Sequence, residues 1–344
     1  MTWTKQRLNN LFFCIGITAV VVMMLTFDVS LSELWQHVCH AGYWMVPILG
    51  VWAVIYAINA MSWFTIIRST DEPDKPVAFR RIFRLTISGY ALNYATPMGG
   101  LGGEPYRIME LSKDIGTQRA TSSVILYAMM HIFAHFWFWF ASIILYLALA
   151  AIGDLAMTPA IAIALTLTTV FCSAAFALFA KGYRKGLAVK TIRILGKVPG
   201  LNGWSRRFLT THEAQLKITD TQIAALYAEN RRAFYVSLAL EFASRIVQST
   251  EILFMLLLFG IDCGGGVEGI TLAFLHSVII LACTTLMANL IGFLPMQLGV
   301  QEGGFVVSIA ALGLPPAIGI FISIICRLRE IIWIIIGLIL MRLR

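Results

Sequence analysis

The sequence predicts an all-α fold, a polytopic membrane helix bundle with about six full spans and two broken, re-entrant segments related as an inverted repeat. Three observations predict it. First, 59% of the 344 residues are hydrophobic and only 13% are charged, about half the charged share of a soluble domain. Second, several apolar runs approach or exceed the roughly 20 residues that cross a bilayer core. Third, basic residues fill every other loop, while glycine, proline and charge gather in two stretches where a helix would otherwise cross.

The first expected span is Leu11–Phe27, behind Lys5 and Arg7. It is long for the apolar h-region of a signal peptide and no small-residue cleavage site follows, so it reads as a retained span. The others are Tyr43–Ile67, Val124–Ile152, Pro159–Ala180, Phe234–Ile261 and Ala317–Met341. Basic residues cluster at Arg68–Arg84, at Lys113 and Arg119, and in the stretch 181–233, where eleven Lys or Arg face Glu213, Asp220 and Glu229. The alternate loops hold Asp28 and Glu33, then Asp154, then Asp262 and Glu268, with no Lys or Arg. The positive-inside rule then places both termini in the cytoplasm, at the plasma (inner) membrane. The pI of 9.3 therefore reflects topology, and no nucleic-acid partner is expected.

Within the basic stretch, "GLAVKTIRILGKV" (Gly186–Val198) puts Lys190, Arg193 and Lys197 on one helical face and Leu187, Ile194, Leu195 and Val198 on another. An interfacial helix on anionic lipid and a solvated helix covering the base of the bundle both fit. Of six cysteines, Cys14, Cys172, Cys283 and Cys326 fall in apolar runs and act as small hydrophobes. Cys39 and Cys263 fall in outer loops, where a disulfide is one option. No spacing suggests zinc, and His131 and His135, though spaced as ligands on a helix, lack a partner carboxylate and read as packed or hydrogen-bonded.

The first broken segment is "NYATPMGGLGGEPYR", Asn93–Arg107. Basic loops flank it on both sides, and too few residues separate them for two crossings, so it predicts a re-entrant hairpin of two half-helices. Irregular backbone at membrane depth must face protein or a water-filled cavity. Gly103 and Pro105 suit the start of the returning half-helix. Its free amides and dipole favour an anion, with Gly99, Gly100, Gly102 and Gly103 admitting close approach and Arg107 adding a fixed positive charge. Phosphate is the natural guest. Glu104 then needs an arginine, a proton or a cationic group. Small residues at this spacing also serve plain helix packing, but packing leaves Glu104 and Arg107 unexplained.

The second is "PMQLGVQEGG", Pro295–Gly304. Pro295, Met296 and Glu302 repeat the frame of Pro97, Met98 and Glu104, here approached from the outer loops. Two broken segments entering from opposite faces are the signature of an inverted repeat around a central site. The stretch before Pro295 is also long enough to span. Elsewhere Glu241, Arg245, Gln248 and Glu251 share one face of a span, Glu241 and Arg245 at pairing distance, and Arg329 and Glu330 lie with Arg327 mid-span. They are either structural ion pairs or an intramembrane polar path.

"PMGGLGGEPYRIMEL", "LPMQLGVQEGGF" and the downstream Arg327 together resemble the flippase-like transmembrane region of the lysylphosphatidylglycerol synthases, which includes the flippase half of the multiple peptide resistance factor. The resemblance covers essentially the whole chain, implying a single flippase-like domain over 1–344. It implies substrate contact by Glu104, Arg107, Glu302 and Arg327, and movement of a phospholipid, an aminoacylated phospholipid or a polyprenyl-phosphate-linked lipid. Pro295-Met296-Gln297 departs from the family's usual Pro-Gly-Gly. With Arg344 soon after the last span, no soluble transferase domain is expected. The expectation is a lipid transporter, not an enzyme, without cofactor or metal, its partners being membrane lipids. A membrane-embedded transferase or phosphatase acting on a polyprenyl phosphate is the alternative, and a scaffold a third.

Overall fold

The computed structural model describes residues 42–69, 76–95, 102–185, 231–291 and 299–342, with single positions between 186 and 230. The expected span Leu11–Phe27, Cys39, Gly99 and Gly100, both Pro-Met pairs and nearly all of Gly186–Val198 lie outside the described residues.

After a short 3-10 turn at Gly42–Trp44 come, among the described residues, nine helices: α1 (Met45–Ser69), α2 (Phe79–Ala95), α3 (Glu104–Ile115), α4 (Thr117–Ala151), α5 (Pro159–Lys185), α6 (Arg231–Leu258), α7 (Gly266–Leu290), α8 (Val300–Ala311) and α9 (Pro316–Arg342). There is no strand among the described residues, and the all-α membrane bundle is as expected. α1, α4, α5 and α7 are long and apolar enough to cross a membrane. α6 and α9 match them in length, at 28 and 27 residues, but carry the interior charges.

α2 and α3 form the expected hairpin. At its base Arg81 of α2 donates to Asp114 (3.1 Å) and Glu110 (3.0 Å) of α3. At its tip the Gly103 amide donates to Asn93 Oδ1 at 2.6 Å. The arms are 17 and 12 residues, longer than the ten or so expected, and rise roughly 25 and 18 Å. The arms touch backbone to backbone, since a Cβ on Gly103 would lie 2.9 Å from Gly89 Cα. Gly116, at φ +82°, turns the chain from α3 into α4, a conformation that costs glycine nothing. α4 then runs 35 residues, roughly 52 Å, to the far end of the bundle. There Asp154 bonds His276 of α7 at 2.7 Å.

The second segment takes the full-span alternative and is not a pair of half-helices. α7 is one continuous helix of 25 residues, because neither proline nor glycine interrupts it between Thr271 and Leu290. Only α8, with 12 residues, is a half-length arm. It starts beside the middle of α9, where Glu302 meets Arg327 at 3.0 Å, and ends at the turn into the start of α9.

Besides two smaller apolar clusters, two large ones fill the bundle. One joins Trp63, Ile66, Leu85, Leu111, Tyr127 and Leu338 toward the hairpin base. The other joins Phe138, Ile252, Met255, Ile280, Phe305 and Ile325 toward the opposite end. α2 seats on α9 at Gly337, beside Ala91 and the Ile87 carbonyl. α1 bonds α6 through the Ser62 and Ser237 hydroxyls at 2.8 Å, a polar tie suited to helices without water between them. Between the two clusters the interior is polar.

Candidate functional site

The polar interior surrounds a cavity of about 320 Å³. Ligand pockets start near 300 Å³, so its volume is at the small end of that range. Both broken segments reach it. The hairpin contributes Tyr90, Asn93, Tyr94, Glu104 and Arg107, and the second segment contributes Thr284, Thr285, Ala288, Asn289 and Gln301. α6 adds Arg245, Gln248 and Glu251, and α9 adds Arg327, Arg329 and Glu330. On the side between α4 and α7 the lining residues Ile132 and Asn289 are exposed. The cavity thus opens toward the surroundings of the bundle there.

Arg107 is fixed on every side. Its Nη1 donates to both oxygens of Glu104 (2.9 and 3.2 Å), and its Nη2 donates to the Thr86 carbonyl (3.1 Å). Trp63 of α1, Tyr90 of α2 and Tyr127 of α4 surround the guanidinium, with ring centroids 5.7, 4.7 and 5.4 Å away, a favourable cation–π enclosure. The space comes from Gly89, where a Cβ would lie 2.8 Å from Arg107 Cζ. Glu104 also accepts from Asn93 Nδ2 at 3.3 Å. Of the three ways to accommodate Glu104, the structure uses an arginine.

The α9 charges form a chain. Arg327 donates from Nε to Glu302 (3.0 Å) and from Nη1 to Glu330 (3.1 Å). Arg329 donates to Glu251 of α6 at 2.8 Å and stacks 3.9 Å from the Trp52 ring. Gln301 reaches Glu330 at 3.3 Å. Glu302 does not line the cavity as expected. Arg327 holds it at the edge, its side chain 32% exposed, and its neighbour Gln301 faces in. Successive positions on α8 lie about 100° apart, so with Gln301 turned in, Glu302 falls at the rim.

The expected pairing of Glu241 with Arg245 is also corrected. Both bind His131 of α4, Glu241 through Nδ1 at 2.7 Å and Arg245 through Nε2 at 2.8 Å, and Arg245 also donates to Gln248 at 2.8 Å. Insertion of an imidazole from a neighbouring helix outcompetes the i,i+4 contact. His131 is thus hydrogen-bonded, as its sequence context indicated, yet its place at the centre of the site was missed. Also missed were Asn59, which donates to Tyr90 at 3.3 Å, and Tyr90, 3.0 Å from the Tyr127 hydroxyl. Single asparagines in apolar runs, Asn59 and Asn93, were the available signal. At the end of the bundle that holds Asp154, Cys263 is a free thiol, 3.7 Å from His276 Nδ1.

The family model for the lysylphosphatidylglycerol synthase TM region matches residues 12–338. The chain belongs to that family. No curated protein and no solved structure matches it. Membership makes this a lipid-related, multi-pass membrane protein.

Proposed function

We propose that this protein moves a lipid with a phosphate-bearing head group between leaflets: a phospholipid, an aminoacylated phospholipid or a polyprenyl-phosphate-linked lipid. The observation that carries this reading is the convergence of four buried guanidiniums, Arg107, Arg245, Arg327 and Arg329, on one cavity at mid-bundle. Arginine pairs phosphate through parallel N–H donors. Interior charges of this kind, costing about 2.5–3.5 kcal/mol each on insertion scales, mark transport paths in membrane helices. The cavity's size suits the head group alone, and its opening beside Ile132 leaves the chains in the bilayer. Gly102 and Gly103 shape the backbone where the hairpin turns into α3.

The experiment is reconstitution of the purified protein into liposomes carrying a fluorescent lipid of each class in one leaflet. Movement of one class, recovered chemically unchanged, is the expected result, with loss on Arg327→Ala in a protein that still folds. Recovery of a cleaved or transferred product identifies a transferase or phosphatase instead. The basic loops further support an inner-membrane orientation with cytoplasmic termini. A cysteine at Asp154 then reacts with impermeant thiol reagent on intact cells, and one at Thr210 does not.

A further inference from the structure

The charges of the interior do not balance. Among the described residues, the mid-bundle cluster holds Arg107, Arg245, Arg327 and Arg329 against Glu104, Glu241, Glu251, Glu302 and Glu330. The connecting stretches 96–101 and 292–298 contain no ionisable residue. With neutral imidazoles these described groups carry one excess negative charge, which a low-dielectric environment disfavours strongly. Four of the five carboxylates touch a guanidinium: Glu104 on Arg107, Glu251 on Arg329, Glu302 on Arg327, and Glu330 between Arg327 and Arg329. Glu241 is the exception. Its partners are His131, at 2.7 Å, and the Ser62 hydroxyl.

We propose that Glu241 is a proton-binding site reached through His131, and that its protonation accompanies lipid movement. The second half rests on the function proposed above. The arrangement of donors fixes how the proton travels. Arg245 Nη2 lies 2.8 Å from Nε2 and 3.0 Å from Nδ1 of His131, but an ionised Glu241 can only accept at Nδ1, so Nδ1 carries the hydrogen and Nε2 accepts from Arg245. The imidazole is therefore neutral. It lines the cavity with its side chain 23% exposed, whereas Glu241 lies behind it at 0%. A lipid ammonium cannot reach that carboxylate, but a proton can. When Arg245 leaves Nε2, a proton from the cavity binds there, and the Nδ1 proton passes to Oε2. The result is a neutral carboxylic acid and a neutral imidazole of the other tautomer. One proton is gained and no other bond changes.

The head group supplies the reason for Arg245 to leave. Arg245 already donates to Gln248, which lines the cavity beside it, and a phosphate in the cavity draws the guanidinium further that way. Head group and proton are then taken up together, and the proton offsets the negative charge that the phosphate brings in. The other groups near Glu241 are compatible with this. Asn59 and Ser62 come from α1, Tyr90 from α2, Tyr127 and His135 from α4, and Arg107 from α3 is the one further cation acting on it. The α7 residues lining the cavity are not titratable.

Infrared difference spectroscopy on the reconstituted protein tests the proton site without any lipid substrate. Lowering the pH from about 8 to about 5 is expected to raise a carboxylic-acid C=O band that is absent in Glu241→Gln and present, shifted, in Glu241→Asp. No titrating band, or one that persists in Glu241→Gln, overturns the site. The coupling is tested with labelled lipid in liposomes under an imposed pH gradient. The gradient is expected to change the wild-type rate several-fold and to leave folded Glu241→Gln unaffected. An equal response in both proteins overturns the coupling. If wild type moves no lipid under any gradient, the functional reading and the coupling fall together, and the infrared titration alone decides the proton site.

Discussion

The hairpin α2–α3 and the segment α7–α8 carry the same Pro-Met-x5-Glu frame, yet they hold their glutamates differently. Glu104 is bound by Arg107, three residues on in the same helix, and by Asn93 across the hairpin. Glu302 is bound by Arg327 of a different helix. The first segment is closed on itself, clasped at its base by Arg81 and pressed together at Gly89 and Gly103. The second is a full-length helix beside a half-length one, and its ion pair depends on how α8 sits against α9. A local pair moves with its hairpin as a unit, whereas a pair between helices breaks when they slide. The frame repeated in sequence thus supplies one fixed charge site and one that rearrangement of helices can alter.

The largest effect should come from breaking the fixed site. Arg107→Ala leaves Glu104 without its cation and empties the aromatic enclosure, a change worth about 3–5 kcal/mol. Thermal unfolding in detergent should show this as a marked loss of stability, with lipid movement abolished. Wild-type stability would mean that Arg107 does not anchor the hairpin.

Next comes the packing beneath it. Gly89→Ala drives a methyl group into Arg107 and should cost about 1–3 kcal/mol. Gly304→Ala meets Thr284, whose nearest atoms are 3.1–3.2 Å from the added Cβ, and should cost less. Equal unfolding midpoints for the two variants would erase the contrast between a tight hairpin and a looser one.

Glu302→Gln should separate function from stability. The side chain is partly exposed, and Arg327 keeps Glu330, so the loss is about 1 kcal/mol or less. Lipid movement should nevertheless stop, and unimpaired movement would remove Glu302 from the site.

The smallest effect lies at the hairpin base, outside the bilayer core. Burial alone would raise the Glu110 carboxyl, but hydrogen bonds from Lys113 and Arg81 outweigh it and hold it below the usual carboxylate range. A lowered folded-state value stabilises above the unfolded value of about 4.3. That contribution is lost as pH falls through the folded value. Unfolding midpoints should therefore drop on acidification by at most about 1 kcal/mol, and less steeply in Arg81→Gln.

Much of this was legible in sequence because it depends on local composition. Apolar runs specify helices in a bilayer, where every backbone amide must be bonded internally. Hence α1, α4, α5, α6 and α9 lie where the hydropathy places them, each within a few residues at one end or the other. The hairpin followed from basic residues on both flanks and too few residues between them. Glu104 and Arg107 stood out because charge among glycines has no packing explanation. The length of α7 was less clear, since a run without breaks fits a spanning helix and a long re-entrant arm equally.

By itself, then, the sequence determined the membrane class, the helical spans, the first hairpin and the roster of interior charges. The tertiary structure decided which of those charges meet. Spacing along one helix proposed Glu241 with Arg245, but a neighbouring helix delivers His131 between them. Spacing also proposed that Glu302 face the cavity, but the rotation of α8 against α9 turns Gln301 inward instead. Partners on other helices are set by packing angles and by small residues such as Gly89 and Gly337. Those come from the sum of many weak contacts across the bundle, which no local pattern encodes.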